Sequence, residues 1–165
     1  MSGVCDLSNE NISVEMALAI VLNNSESFGT EKTELTRSFN RVLKEAVFAD
    51  RDFPPFDRVS MDGIAIRFES FQAGNRKFLI EGIQPAGSAQ KTLINKDQCI
   101  EVMTGAVLPE HTDTVIPYEQ VFIENDTATV QIDEIKKLQH IHPRGFDRKK
   151  LDKLIAEDRL ISAAE

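Results

Sequence analysis

No apolar run in this sequence approaches the ~20 residues that a membrane-spanning helix requires, and no charged-then-apolar leader opens it. The expectation is a soluble chain with neither a span nor a signal peptide. Cysteine is scarce. Cys5 and Cys99 are the only two, far apart and without metal-like spacing. Two lone thiols fit a reducing cytosol better than a disulfide framework, which points to a cytoplasmic location. Positive charge is short as well: 19 Lys and Arg stand against 27 Asp and Glu, a net charge of −8. That balance argues against nucleic acid or an acidic membrane as a partner, since either would call for a basic stripe. A phosphate-binding loop, a dinucleotide fingerprint, a nucleophile elbow, internal repeats and low-complexity tracts are all missing.

What is present describes a globular chain. At 165 residues, 41% hydrophobic and 28% charged, it makes one or two small domains with a real core. Residues 1–11 are polar and expected to fray. Ser13 should cap a helix, with Glu15 favourably placed in its first turn and Val14, Ala17, Leu18, Val21 and Leu22 along one apolar face. Asn23-Asn24-Ser25 should end it. Thr36 can cap a short second helix carrying Phe39, Val42 and Leu43, after which residues 44–49 extend. From residue 63 to about 135 the pattern becomes short strands with turn punctuation: Phe78-Leu79-Ile80, Ile100–Met103, Val115-Ile116, and a hairpin over 121–132 with an Asn125-Asp126 turn. Regular short strands suggest a small β-barrel or sandwich.

The densest chemistry lies in Pro54–Ala65. Pro54 and Pro55 hold the chain extended, and Asp62-Gly63 is a turn signal. Asp57, Ser60 and Asp62 place two carboxylates and a hydroxyl on constrained backbone, which suits a ligand, metal or phosphate site but also ordinary Asx turns. His140 and His142 would share a face if the segment is extended. They lack further zinc ligands and read as solvated. The basic cluster of Arg144, Arg148, Lys149, Lys150 and Lys153 reads as a solvated face.

The run PPFDRVSMDGIAIR resembles the PPFDNSAMDGYAVR signature of the MoeA and gephyrin E-domain family, the molybdopterin molybdenumtransferases. Val102–Glu110, followed by Asp113 and Val115–Glu119, resembles that family's IMTGAPVPEGADAVVPVE. Arg144–Asp147 resembles RGED, and Ile12–Leu18 resembles the ISVEEAL opening. The resemblance implies an α+β, mostly β fold: an elongated helical and extended N-terminal domain (1–49 and 143–165) with an inserted, small β-barrel-like lid domain (50–142). It implies a reaction in which molybdate enters adenylylated molybdopterin with release of AMP, assisted by Mg²⁺. Asp62, Thr104 and Asp147 match the family's catalytic positions, with Asp62 and Asp147 as the metal candidates. Ser60, Gly63, Gly105 and Arg58 match positions beside the substrate. A homodimer and a MogA-like domain are the implied partners, the fragment supplying half a composite site and being inactive alone. A non-catalytic, gephyrin-like binding or scaffold module is the alternative.

Three departures from the motifs stand out. Arg58 replaces Asn, Ile64 replaces Tyr, and Phe146 replaces Glu. In the tail, Leu151, Leu154 and Ile155 have helical spacing, whereas the resemblance implies a turn and short extended segments, which is the expectation adopted. Ser162–Glu165 reads as a capping box for a helix that the sequence does not contain. The chain is therefore expected to be the N-terminal portion of a longer enzyme.

Overall fold

The computed structural model describes residues 12–165; the polar segment 1–11, expected to fray, and Cys5 lie outside the described residues. In chain order the elements are helix α1 (Val14–Asn23), strands β1 (Val42–Leu43), β2 (Val47–Phe48), β3 (Arg58–Val59) and β4 (Gly63–Ile66), and helix α2 (Phe68–Gln72). Strands β5 (Lys77–Gln84), β6 (Gln98–Val102), β7 (Thr114–Pro117), β8 (Val121–Glu124), β9 (Thr127–Val130), β10 (Ile141–His142), β11 (Lys153–Ile155) and β12 (Arg159–Leu160) follow. The fold is mostly β with few helices, as the sequence implied.

Helix α1 begins where the sequence places it. The Ser13 hydroxyl accepts the Met16 N–H at 3.2 Å, satisfying one of the helix's orphan donors. Among the described residues, however, its apolar face is left largely uncovered: no residue of α1 is buried, and Val14 and Val21 are 81% and 65% exposed.

The second expected helix does not form. Thr36 sits inside a one-turn 3-10 helix (Leu35–Arg37), Asn40 swings to φ 61°, and Val42 and Leu43 become β1. The reason is long-range pairing. β1 pairs antiparallel with β12, and β2 with β11. A single turn of helix is marginal in water, so strand partners from the far end of the chain prevail over local periodicity. The same pairing makes the tail extended rather than helical, with Leu154 and Ile155 in β11.

The centre is a six-stranded sheet in the order β7-β4-β6-β5-β9-β8, curled into a half-barrel. Only β5 and β6 run parallel. Strand β4 (Gly-Ile-Ala-Ile) is buried throughout, as a strand covered on both faces must be. Ala65 faces one core with Val59, Ile100, Val102 and Val115; Ile64 and Ile66 face the other with Phe78, Ile116 and Ala128. Ile64, where the family motif has Tyr, is thus fully buried core and does not line a site. Cys99 also faces this second core, where burial pushes its thiol up to about 12 and leaves it unreactive.

Two details depart from expectation. Helix α2 was not anticipated. The Asp113 carboxylate accepts the Phe68 N–H at 2.6 Å, and Phe71 is buried in the second core. Gly63 is no turn glycine, because its φ is not positive. It opens β4, between Val102 and Pro117, where a Cβ would lie 2.0 Å from the Ile116 carbonyl oxygen. The hairpin, by contrast, is as read: Asn125 and Asp126 take φ 49° and 57° between β8 and β9, the twist a two-residue hairpin favours.

Candidate functional site

Strand β3 is only two residues long, yet it gathers the segments singled out in the sequence. On one edge Val59 donates its N–H to the Ala106 carbonyl and accepts from the Gly105 N–H, both at 2.9 Å. On the other edge Val59 pairs with Ile141 and Arg58 with His142. Ser60 donates its N–H to the His140 carbonyl at 3.0 Å, and Leu108 donates to the Asp57 carbonyl at 2.9 Å. Val59 itself is fully buried, which anchors this junction to the core. Three stretches far apart in sequence therefore meet on one short ladder.

Asp62 and Thr104 come together directly. The Thr104 N–H and hydroxyl both donate to Asp62 Oδ1, at 2.6 and 2.8 Å. Gly105 follows at φ 87°, a conformation that a residue with a Cβ adopts at a cost, and this turns the Thr104 loop back onto β3. The two bonds fall on one oxygen, so Oδ2 is left without a protein donor among the described residues. The Thr104 N–H, and then its hydroxyl, hold the exposed Asp62 carboxyl below the usual carboxylate range. A depressed folded value means the contact contributes fully above the ordinary Asp range and is lost only as pH falls through the lowered value. The Thr104 amide resonance should accordingly titrate with a midpoint below the ordinary Asp value. A shift centred at or above the ordinary Asp value in a solution NMR titration would contradict the contact.

Beside this pair stand two residues that carry no role in the reading of the motifs. The Tyr118 N–H donates to the Asp62 carbonyl at 3.2 Å, and its hydroxyl donates to Glu101 Oε1 at 3.1 Å. Burial, reinforced by the Glu101 charge, pushes the Tyr118 phenol up to about 12, so it remains a donor at any ordinary pH. The signal was faint. Glu101 is merely one residue of an alternating strand.

Asp147 is placed differently. Its N–H donates to the Phe53 carbonyl, and Gly145 donates to the Pro54 carbonyl, both at 2.9 Å, so the loop packs along the proline segment. Its carboxylate meets His142, Nε2 to Oδ1 at 2.9 Å, and no bond links it to Asp62 or Thr104. The condition under which His140 and His142 would share a face, an extended segment, is not met, and His142 is more than a solvated side chain. His140 takes φ 55°, which breaks the extended run, and the His142 side chain is 28% exposed and engaged.

The remaining candidates divide. Asp57 accepts the Arg144 N–H at 2.8 Å, and Asp52 accepts Arg144 Nε at 2.7 Å and the Lys150 N–H at 2.9 Å. Both acids therefore fasten loops together. Within the basic cluster, Arg144 pairs with Asp52 and Lys153 with Glu157. Arg58 and Ser60 are exposed on and beside β3, and Gly63 is buried in β4. Among the described residues no group of three or more His, Cys, Asp or Glu could hold a metal ion.

Residues 12–165 match the model of the MoeA N-terminal region, domains I and II. The chain belongs to this family. It is 39% identical over 137 residues to the molybdopterin molybdenumtransferase of Synechocystis sp., a match covering 82% of this chain and 35% of that protein. It is 30% identical over 155 residues to the enzyme of that name from Staphylococcus aureus, covering 92% and 37%. A crystal structure of the molybdopterin biosynthesis MoeA protein from Pyrococcus horikoshii OT3 superposes with a TM-score of 0.80 at 31% identity, covering 91% of this chain and 41% of that one. This MoeA N-terminal region thus spans little more than a third of the curated relatives it matches. No helix among its described residues is long and apolar enough to cross a membrane.

Proposed function

We propose that this chain is the N-terminal part of a molybdopterin molybdenumtransferase, acting in molybdenum cofactor biosynthesis. In that reaction molybdate enters adenylylated molybdopterin and AMP leaves. The observation that carries the reading is the Asp62–Thr104 contact. It joins the two most specific family motifs through one carboxylate oxygen of an exposed residue and leaves the other without a protein donor among the described residues. A loop merely needing to be fastened would be served by the backbone ladder on β3 alone.

Mg²⁺ fits these residues in a limited sense. Mg²⁺ is commonly held by one or two carboxylates together with substrate phosphates and waters, and the lack of any larger acidic or imidazole cluster among the described residues suits that mode. Asp62 and Asp147 would hold it. When bound it would offset phosphate charge as AMP departs. Thr104 orients Asp62; Gly105 lets backbone approach a ligand closely; Ser60 and Arg58 stand on the same ladder, Arg58 offering a guanidinium fork to a substrate phosphate. Gly63 acts from beneath, through the register of β4 against β7.

The composite-site reading extends this. Strands β1 and β2 pair with β12 and β11, while β3 pairs with β10. That pairing supports an elongated domain from residues 1–49 and 143–165, with 50–142 inserted as a β-rich lid. A homodimer would then present this half-site to a MogA-like domain. The test is titration of adenylylated molybdopterin, with molybdate and Mg²⁺, into this chain alone and into its mixture with a separately expressed MogA-like domain. Binding and AMP release in the mixture only are expected. Turnover by the chain alone would refute the half-site, and inertness of both preparations would favour a scaffold.

A further inference from the structure

We infer that His142 is a positioning residue for Asp147, taking the place of a carboxylate neighbour that the Phe146 substitution removes. The inference rests on the transferase reading above. An ionised carboxylate only accepts, so the 2.9 Å contact requires that Nε2 of His142 carry the proton. Asp147 stays exposed, with one oxygen taken and Oδ2 available to a ligand. The ring is fixed from two further directions. Backbone pairing of His142 with Arg58 sets where it emerges from β10, and Phe146 meets it edge to face, centroids 4.9 Å apart at 76°.

Phe146 thereby acquires a reason. It is 70% exposed, an odd place for a large apolar ring unless it packs on something at the surface. The thing it packs on is the imidazole that holds the next residue's carboxylate. Phe146, His142 and Asp147 form one small unit within the six residues 142–147. Rotamer freedom that Asp147 would otherwise keep is removed before any substrate arrives.

The test uses the full chain with the MogA-like domain supplied separately, in four forms: wild type, His142→Ala, His142→Phe and His142→Gln. Gln places an amide donor where Nε2 stood; Phe keeps the packing on Phe146 and deletes the donor. Turnover should fall about 10- to 100-fold in H142A and H142F, mainly in kcat, and recover in H142Q. In the chain alone, a protected His142 Nε2–H proton should be visible by NMR and vanish in Asp147→Ala. A wild-type mixture without turnover would overturn the reaction and this role with it. Wild-type turnover matched by H142F would overturn the positioning role alone, as would an Nε2–H signal that survives in D147A.

Discussion

Gly63→Ala should destabilise the protein by at least about 3 kcal/mol, the upper end of what overpacking a core costs, and lower its melting temperature by about 10 °C. The cause is backbone, not side chain. The new Cβ would stand 2.0 Å from the Ile116 carbonyl oxygen, 2.8 Å from its carbon and 2.9 Å from the Pro117 Cα. Nothing there can rotate away, because β4 is held between β6 and β7 and every one of its residues is buried. Relief requires separating β4 from β7 and disturbing both cores at once. Gly82→Ala is the internal control. Its Cβ would meet only the flexible end of Lys91, at 3.4 Å, so a change between neutral and about 1 kcal/mol of stabilisation is expected from the restricted unfolded chain. Urea unfolding of the two variants decides it. Similar midpoints would show that the β4–β7 approach is looser than described.

Asp62→Ala should act in the opposite manner, sparing the fold and removing the chemistry. Asp62 is exposed and, among the described residues, its side-chain bonds run only to Thr104, whose loop the β3 ladder holds independently. Turnover in the mixture with a MogA-like domain should fall about 10²- to 10³-fold, the scale for losing one preorganised charged group. Asp62→Asn separates charge from geometry. Its amide oxygen can still accept both Thr104 bonds, so the loop should keep its position and the Thr104 amide its resonance. If the negative charge is what matters, D62N is as inactive as D62A. Near-wild-type turnover in D62N would reduce Asp62 to a loop fastener.

The sequence was most readable where structure is local. Asn125-Asp126 between two β-rich runs is a two-residue hairpin in the sequence and in the fold, because the turn itself fixes the register. The cap at Ser13 is equally local. Thr36 misled for the complementary reason: its apparent helix is undone by β12, whose residues lie far outside any local window. Gly63 was misread because a glycine before a strand has the same spelling whether it serves φ or close approach. Of the site, Asp62 stood out locally, with Asp57 and Ser60 on constrained backbone, whereas Thr104 was found only through the motif that contains it. Nothing in spacing announces that residues 42 positions apart share a hydrogen bond. His142 was passed over because a positive φ at His140 cannot be read from a histidine.

The pairing of the chain's two ends has a consequence during synthesis. Lys44 meets Asp158, 114 residues further along, and among the described residues β1 and β2 pair only with β12 and β11. These two strands can therefore pair only once β11 and β12 have been made, after a wait on the order of ten seconds at ordinary elongation rates. Throughout that interval they offer bare hydrogen-bonding edges to any neighbouring nascent chain. Arg41, Lys44 and Glu45, set around and between the two strands, put charge on those edges, a device that discourages premature pairing between copies.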